Sequence, residues 1–65
     1  MRYIVKSAVA GYLTQYDKRG NPVFSRDRDE AIRYKSADAA NDTVALIAAD
    51  DKRGTYGDLT MEEAI

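Results

Sequence analysis

The chain has 65 residues, a formal net charge of −1, 45% hydrophobic and 32% charged residues, and neither cysteine nor histidine. A chain this short forms one domain that buries about 60% of its unfolded surface, and its apolar content excludes disorder as the main state. The missing residue types exclude disulfides, thiolate nucleophiles, the usual zinc sites and histidine-based acid–base catalysis, so a non-catalytic protein without cofactor or metal is expected. No apolar run approaches the ~18 residues of a membrane span and the start does not resemble a signal peptide, so a cytoplasmic location without membrane contact is expected.

Taken in chain order, residues 2–8 alternate as a strand does, with Tyr3 and Val5 assigned to the core because Ile4 stands between charges on the other face. An apolar connection with the turn signal Gly11 leads into a second strand, residues 11–16 (GYLTQY). Leu13 is its core residue, which sends Tyr12 and Tyr16 to the opposite face. Residues 17–22 (DKRGNP) read as a turn. Residues 23–25 read as a short third strand closing a hairpin, with Phe24, the only Phe, in the core. Asp27 and Glu30 have capping-box spacing, which predicts one helical turn that tucks Ala31 and Ile32 beneath the sheet. Tyr34 is then expected to return as an extended residue.

The clearest helical stretch runs from Ser36 to Gly54. Ser36 suits the N-cap, Gly54 a left-handed terminus, and Lys52 and Arg53 the last turn. Ala37, Ala40, Val44 and Ile47 follow at spacings of three, four and three, a stripe for packing on a sheet. Asp38 and Asp42 fall on roughly the opposite side of the wheel. Residues 55–61 read as a last strand beside the first, with Leu59 and Met61 on one face and Tyr56, Asp58 and Thr60 on the other, and residues 62–65 as a tail. The expected fold is α+β: a small antiparallel sheet of three to four strands with one main helix packed on one face.

This arrangement offers two candidate surfaces. The open sheet face should carry Ile4, Tyr12, Tyr16 and Tyr56, four large side chains suited to a partner or to a homodimer mate. The helix should carry Asp38 and Asp42 on its exposed side and Asp50 and Asp51 at its end. Acids are unfavourable there because the helix dipole is negative at that terminus, and positions that break a local rule are candidates for function. The chain is also polarised. Residues 1–35 hold eight Lys or Arg against four acids, and residues 36–65 hold two against seven. The bases Lys18, Arg19, Arg26, Arg28, Arg33 and Lys35 lie near aromatic residues, but acids interleave with them and the pI is about 5.2, so direct nucleic-acid binding is disfavoured. The acidic groups Asp27/Asp29/Glu30, Asp50/Asp51 and Glu62/Glu63 match no catalytic motif, and the first lacks the downstream Gly and Glu of a calcium loop.

The pattern M-R-Y-I-V-K, G-Y-L, F-S-R-D and A-I-R-Y-K-S-A-D-A-A, over about residues 1–40, resembles small ββ(β)α proteins of phages and mobile elements, a group that includes anti-CRISPR proteins and antitoxins. The resemblance implies a non-catalytic inhibitor of a host protein or nuclease complex, a CRISPR effector above all, with an acidic surface that imitates DNA. The start also resembles HicB-type antitoxins, but the acidic-apolar run and DNA-binding helix pair of that family are missing. The alternatives are a homodimeric accessory protein using the tyrosine face, and a weak nucleic-acid binder or antitoxin.

Overall fold

A computed structural model of the protein describes residues 1–64. Four strands, β1 (Arg2–Ser7), β2 (Gly11–Tyr16), β3 (Pro22–Ser25) and β4 (Leu59–Ala64), form one antiparallel sheet in the order β3-β2-β1-β4. The helix α1 (Ala37–Asp50) packs on one face, over β1 and β4. A single 3-10 turn at Arg28–Glu30 interrupts the long connection between β3 and α1. No helix among the described residues is long and apolar enough to cross a membrane. The expected α+β arrangement is the observed one, with four strands.

The core lies between sheet and helix. Val5 and Leu13 from the sheet meet Ala40 and Ile47 from the helix, all buried, with Tyr3, Phe24, Ile32, Tyr34, Val44, Tyr56, Leu59 and Met61 half-buried around them. The helix begins where the sequence predicts. The Ser36 hydroxyl oxygen accepts a bond from the Ala39 amide at 3.1 Å and so satisfies a first-turn donor. It ends at Asp50, four residues short of Gly54, which sits at φ +68° in the following loop. Gly11 has φ +102°, and a Cβ there would collide with the Ser25 carbonyl, so the β1–β2 turn requires glycine.

Three features depart from simple alternation. First, β1 and β2 pair only at Lys6–Tyr12 and Ser7–Gly11 and then diverge. The segment after the 3-10 turn fills the gap: the Ile32 amide donates to the Leu13 carbonyl (2.9 Å), and Tyr34 exchanges bonds with Tyr3 (2.7 and 2.9 Å). This satisfies backbone groups that the divergence would leave unpaired. Tyr34 is therefore extended, as expected, and Ala31 is buried.

Second, β2 carries a bulge. Leu13 pairs with Phe24 but Gln15 pairs with Val23, so Thr14 is the extra residue; its hydroxyl donates to the Val23 carbonyl (3.1 Å). The bulge reverses the facing of the strand residues beyond it. Tyr16 pairs with Pro22, which shares a face with Phe24, so Tyr16 lies on the helix side of the sheet.

Third, the outer face of the sheet is not open at Ile4, which is only 1% exposed. Its ladder partner is Glu62, and Arg28 bridges to Glu62 (Nε to Oε1, 3.7 Å). The 3-10 turn therefore lies across this face and covers Ile4. Asp27 caps that turn by accepting from the Asp29 amide (3.0 Å), so the capping-box spacing marks a 3-10 turn. Arg28 also donates to the Glu63 carbonyl (2.9 Å). Because Tyr3 uses its backbone groups on Tyr34, Tyr3–Glu63 is a non-hydrogen-bonded pair of the ladder, and the Glu63 carbonyl points to the free edge of β4. Arg28 thus caps part of an exposed strand edge. Residues 62–64, expected as a tail, complete β4, and the expected tail position Ile65 lies outside the described residues.

Two adjacent helix positions separate the faces. Ile47→Ala removes a buried side chain and lowers stability by about 2–5 kcal/mol, whereas Leu46→Ala changes it by no more than about 0.5 kcal/mol. Chemical denaturation of the two variants checks this, and equal effects would contradict the helix orientation.

Candidate partner-binding surface

The charged residues on the outward side of α1 are all acidic. Between Ala37 and Asp50 there are three carboxylates, Asp38, Asp42 and Asp50, and no Lys or Arg. All three are exposed. The ion pair of the described residues is Arg28–Glu62, on the other side of the sheet, so these carboxylates have no basic partner. Asp38 is in the first turn, where the dipole favours an acid. Steps of four residues carry the line from Asp38 through Asp42 and Leu46 to Asp50 along one inclined ridge. Leu46 interrupts the acids and is 66% exposed.

Asp51 behaves differently. It is the C-cap residue, and its own amide donates back to Ile47 (2.9 Å). Its carboxylate turns away from the ridge and accepts from the Thr55 amide (2.8 Å) and the Tyr56 amide (2.9 Å). These bonds, that of Tyr56 foremost, hold the Asp51 carboxyl below its usual range against the opposing effect of desolvation. The acid that seemed to break a local rule is a loop anchor, so it leaves the set of acids free to meet a partner.

The anchored loop places Tyr56 beside the core. Its ring lies 4.7 Å from that of Phe24, tilted by 34°. Its carbonyl accepts a bond from the Ser7 hydroxyl, whose oxygen in turn accepts from the Val9 and Ala10 amides (3.1 and 2.9 Å). Buried Ser7 therefore ties the β1–β2 turn to the loop after α1.

Between this loop, the end of α1 and the tip of the β2–β3 hairpin lies a cleft of about 420 Å³. Tyr16, Asn21, Pro22, Leu46, Asp50 and Tyr56 are among its lining residues, with Ile47 behind them. Tyr16 remains 45% exposed. Partial burial, and secondarily the neighbouring Tyr34 phenol, push its hydroxyl above the ordinary tyrosine value.

The expected open face of Ile4, Tyr12, Tyr16 and Tyr56 does not form. Ile4 is covered by the 3-10 turn, Tyr16 is turned inward by the bulge, and Tyr56 is in a loop on the helix side. Only Tyr12 stays on the outer face, where the Lys6 ammonium lies 5.7 Å above its ring. The structure instead brings Tyr16, Tyr56 and Asp50 together. Leu46 and Pro22 are the residues that sequence reasoning missed. Leu46 carried a legible signal, as an apolar residue four positions from Asp42 and off the core stripe. Comparison with protein-family models, curated proteins and solved structures gives no match.

The Asp51 anchor makes a pH-dependent prediction. Its folded pKa lies below the ordinary 3.8, so its stabilisation is present above that value and is lost as pH falls through the folded pKa. Asp51→Asn should melt at lower temperature than wild type at pH 7, and the gap should close in strong acid. Thermal melts by circular dichroism check this, and a gap independent of pH would contradict the anchor.

Proposed function

We propose that this protein is a small non-catalytic inhibitor that docks the acidic ridge of α1 onto the phosphate-binding surface of a nucleic-acid-processing protein assembly in the cytosol. One observation carries the reading: Asp38, Asp42 and Asp50 are exposed, lack basic partners and share a line with exposed Leu46 on a helix without a single cation. A solvated helix face usually mixes signs, because pairs of opposite charge at four-residue spacing stabilise it. A ridge of one sign with an apolar residue in its middle has the composition of a surface that meets a basic partner, where the carboxylates supply charge complementarity and Leu46 supplies buried area.

The dimensions fit a phosphate mimic. Twelve residues at about 1.5 Å rise extend the three charges over about 18 Å, the axial length of about five phosphates of one DNA strand. The resemblance of residues 1–40 to phage proteins favours a host nuclease complex, a CRISPR effector in particular, as target. The homodimer reading relied on an open sheet face, which is divided, since Tyr12 stands on the outer face while Tyr16 and Tyr56 lie on the helix side.

The test combines Asp38→Asn, Asp42→Asn and Asp50→Asn, leaving the loop anchor Asp51 intact. Electrophoretic mobility-shift assays with a panel of RNA-guided nuclease complexes should show that wild-type protein displaces target DNA from at least one of them. That displacement should weaken as salt rises from 50 to 300 mM, as expected on the order of the screening length of ~10 Å at 0.1 M. The triple variant should melt within a few degrees of wild type and inhibit at least about tenfold less. Undiminished inhibition by the folded variant, or no inhibition of any complex, would contradict the proposal.

A further inference from the structure

We propose that the cleft beside the ridge is a capture site for an arginine side chain of the partner, with an apolar residue next to it, held by Asp50, Tyr16 and Tyr56. This inference rests on the acidic-ridge reading and assigns the ridge its anchor point.

Size comes first. The cleft of about 420 Å³ falls within the ~300–1,000 Å³ of sites that enclose small ligands. It exceeds one side chain and has room for a guanidinium and a neighbouring apolar group. Its walls are mixed, with apolar surface from Pro22, Leu46, Ile47 and the two tyrosines beside polar Asn21, Asp50 and Thr55. Four large hydrophobic side chains stand out from the surface of the described residues, Met1, Val9, Tyr16 and Leu46, and two of these, Tyr16 and Leu46, line this one cleft. Scattered exposure needs no explanation, but two such residues converging on a concavity mark a contact site.

Charge selects the occupant. The Asp50 carboxylate lines the cleft without an ion-pair partner, Asp51 adds a second negative charge nearby, and the negative end of the α1 dipole points the same way. Among the described residues no Lys or Arg lines the cleft. An acidic peptide or a phosphate would be repelled. An uncharged apolar group would strip water from Asp50 and leave it unpaired, which is costly. A cation on an apolar stem satisfies both wall and charge. Arginine fits better than lysine, because its planar guanidinium stacks on tyrosine faces while its fork bonds a carboxylate. A phosphate-binding surface is rich in arginine, so the ridge and the cleft would engage neighbouring residues of the same partner.

The experiment uses ¹⁵N-labelled protein and two capped tripeptides, Leu-Arg-Leu and the same peptide with citrulline, an uncharged isostere, in place of arginine. The arginine peptide should shift the amides of Asn21, Thr55 and Tyr56 saturably, and the citrulline peptide should bind about tenfold more weakly or not at all. Asp50→Asn should weaken the arginine peptide by a similar factor, and Tyr16→Ser by a few-fold, in variants whose melts match wild type. Equal binding of the two peptides, or cleft amides left unmoved, would overturn the proposal. If the arginine peptide shifts only the amides around Asp38 and Asp42, the capture site falls while the acidic ridge stands. If the cleft takes the peptide as expected and partner inhibition survives Asp38→Asn with Asp42→Asn but is lost with Asp50→Asn, the capture site stands and the ridge falls.

Discussion

Asp51 holds three parts of the molecule in register. An acid at the C-terminus of a helix opposes the dipole, yet here its two oxygens accept two backbone amides of the following loop, and its own amide closes the last turn. The loop therefore leaves the helix in one direction. Tyr56 comes to rest against Phe24, and its carbonyl receives the hydroxyl of buried Ser7. Through Ser7 the same point reaches the β1–β2 turn. Helix end, loop and β1–β2 turn are joined by side-chain bonds to backbone, which are directional and costly to break where partly buried, and the hairpin joins them through the Phe24–Tyr56 ring contact. The walls of the cleft are consequences of that junction.

Much of the architecture is legible locally. The strand expected at residues 2–8, the apolar stripe of Ala37, Ala40, Val44 and Ile47, the cap at Ser36 and the turn expected at residues 17–22 each depend on neighbours within a few positions, and each lies within a residue of where the sequence places it, with Ala37 only half-buried. The exposure of Asp38 and Asp42 follows from the helical period alone. Pairing is what the sequence does not display. Nothing within GYLTQY marks Thr14 as a bulge, because the extra residue exists only relative to β3, and a one-residue shift reverses every side chain beyond it. Ile4 looks exposed by its charged neighbours, but a turn more than twenty residues away covers it. Glu62 and Glu63 look like a tail because they are charged, whereas Glu62 finds Arg28 on the outer face and Glu63 stays exposed near the end of an edge strand. Asp51 reads as a surface acid until the loop it anchors is in place.

The polarity of the chain becomes a polarity of layers. The helix layer carries Asp38, Asp42 and Asp50 and no base. The outer face of the sheet carries Arg2 and Lys6 from β1 and receives Arg28 from the 3-10 turn, where it meets Glu62 and caps the Glu63 carbonyl. Placing these cations on the far side of the sheet keeps them from neutralising the ridge, since over such a separation salt screens most of their influence. Arg28 thus serves the fold and its exposed edge, and the helix acids are left to face outward.

The partner-binding surface depends most on Tyr16 sharing the helix side of the sheet with Leu46 and Tyr56. A nuclear Overhauser experiment on the protein in solution tests this directly. Cross-peaks from the Tyr16 ring to the Leu46 methyls and the Tyr56 ring, with none from the Tyr12 ring to either, are the expected result. Cross-peaks that group Tyr16 with Tyr12 on the outer face, and none from Tyr16 to α1, would contradict the bulge, the cleft and the partner-binding surface together.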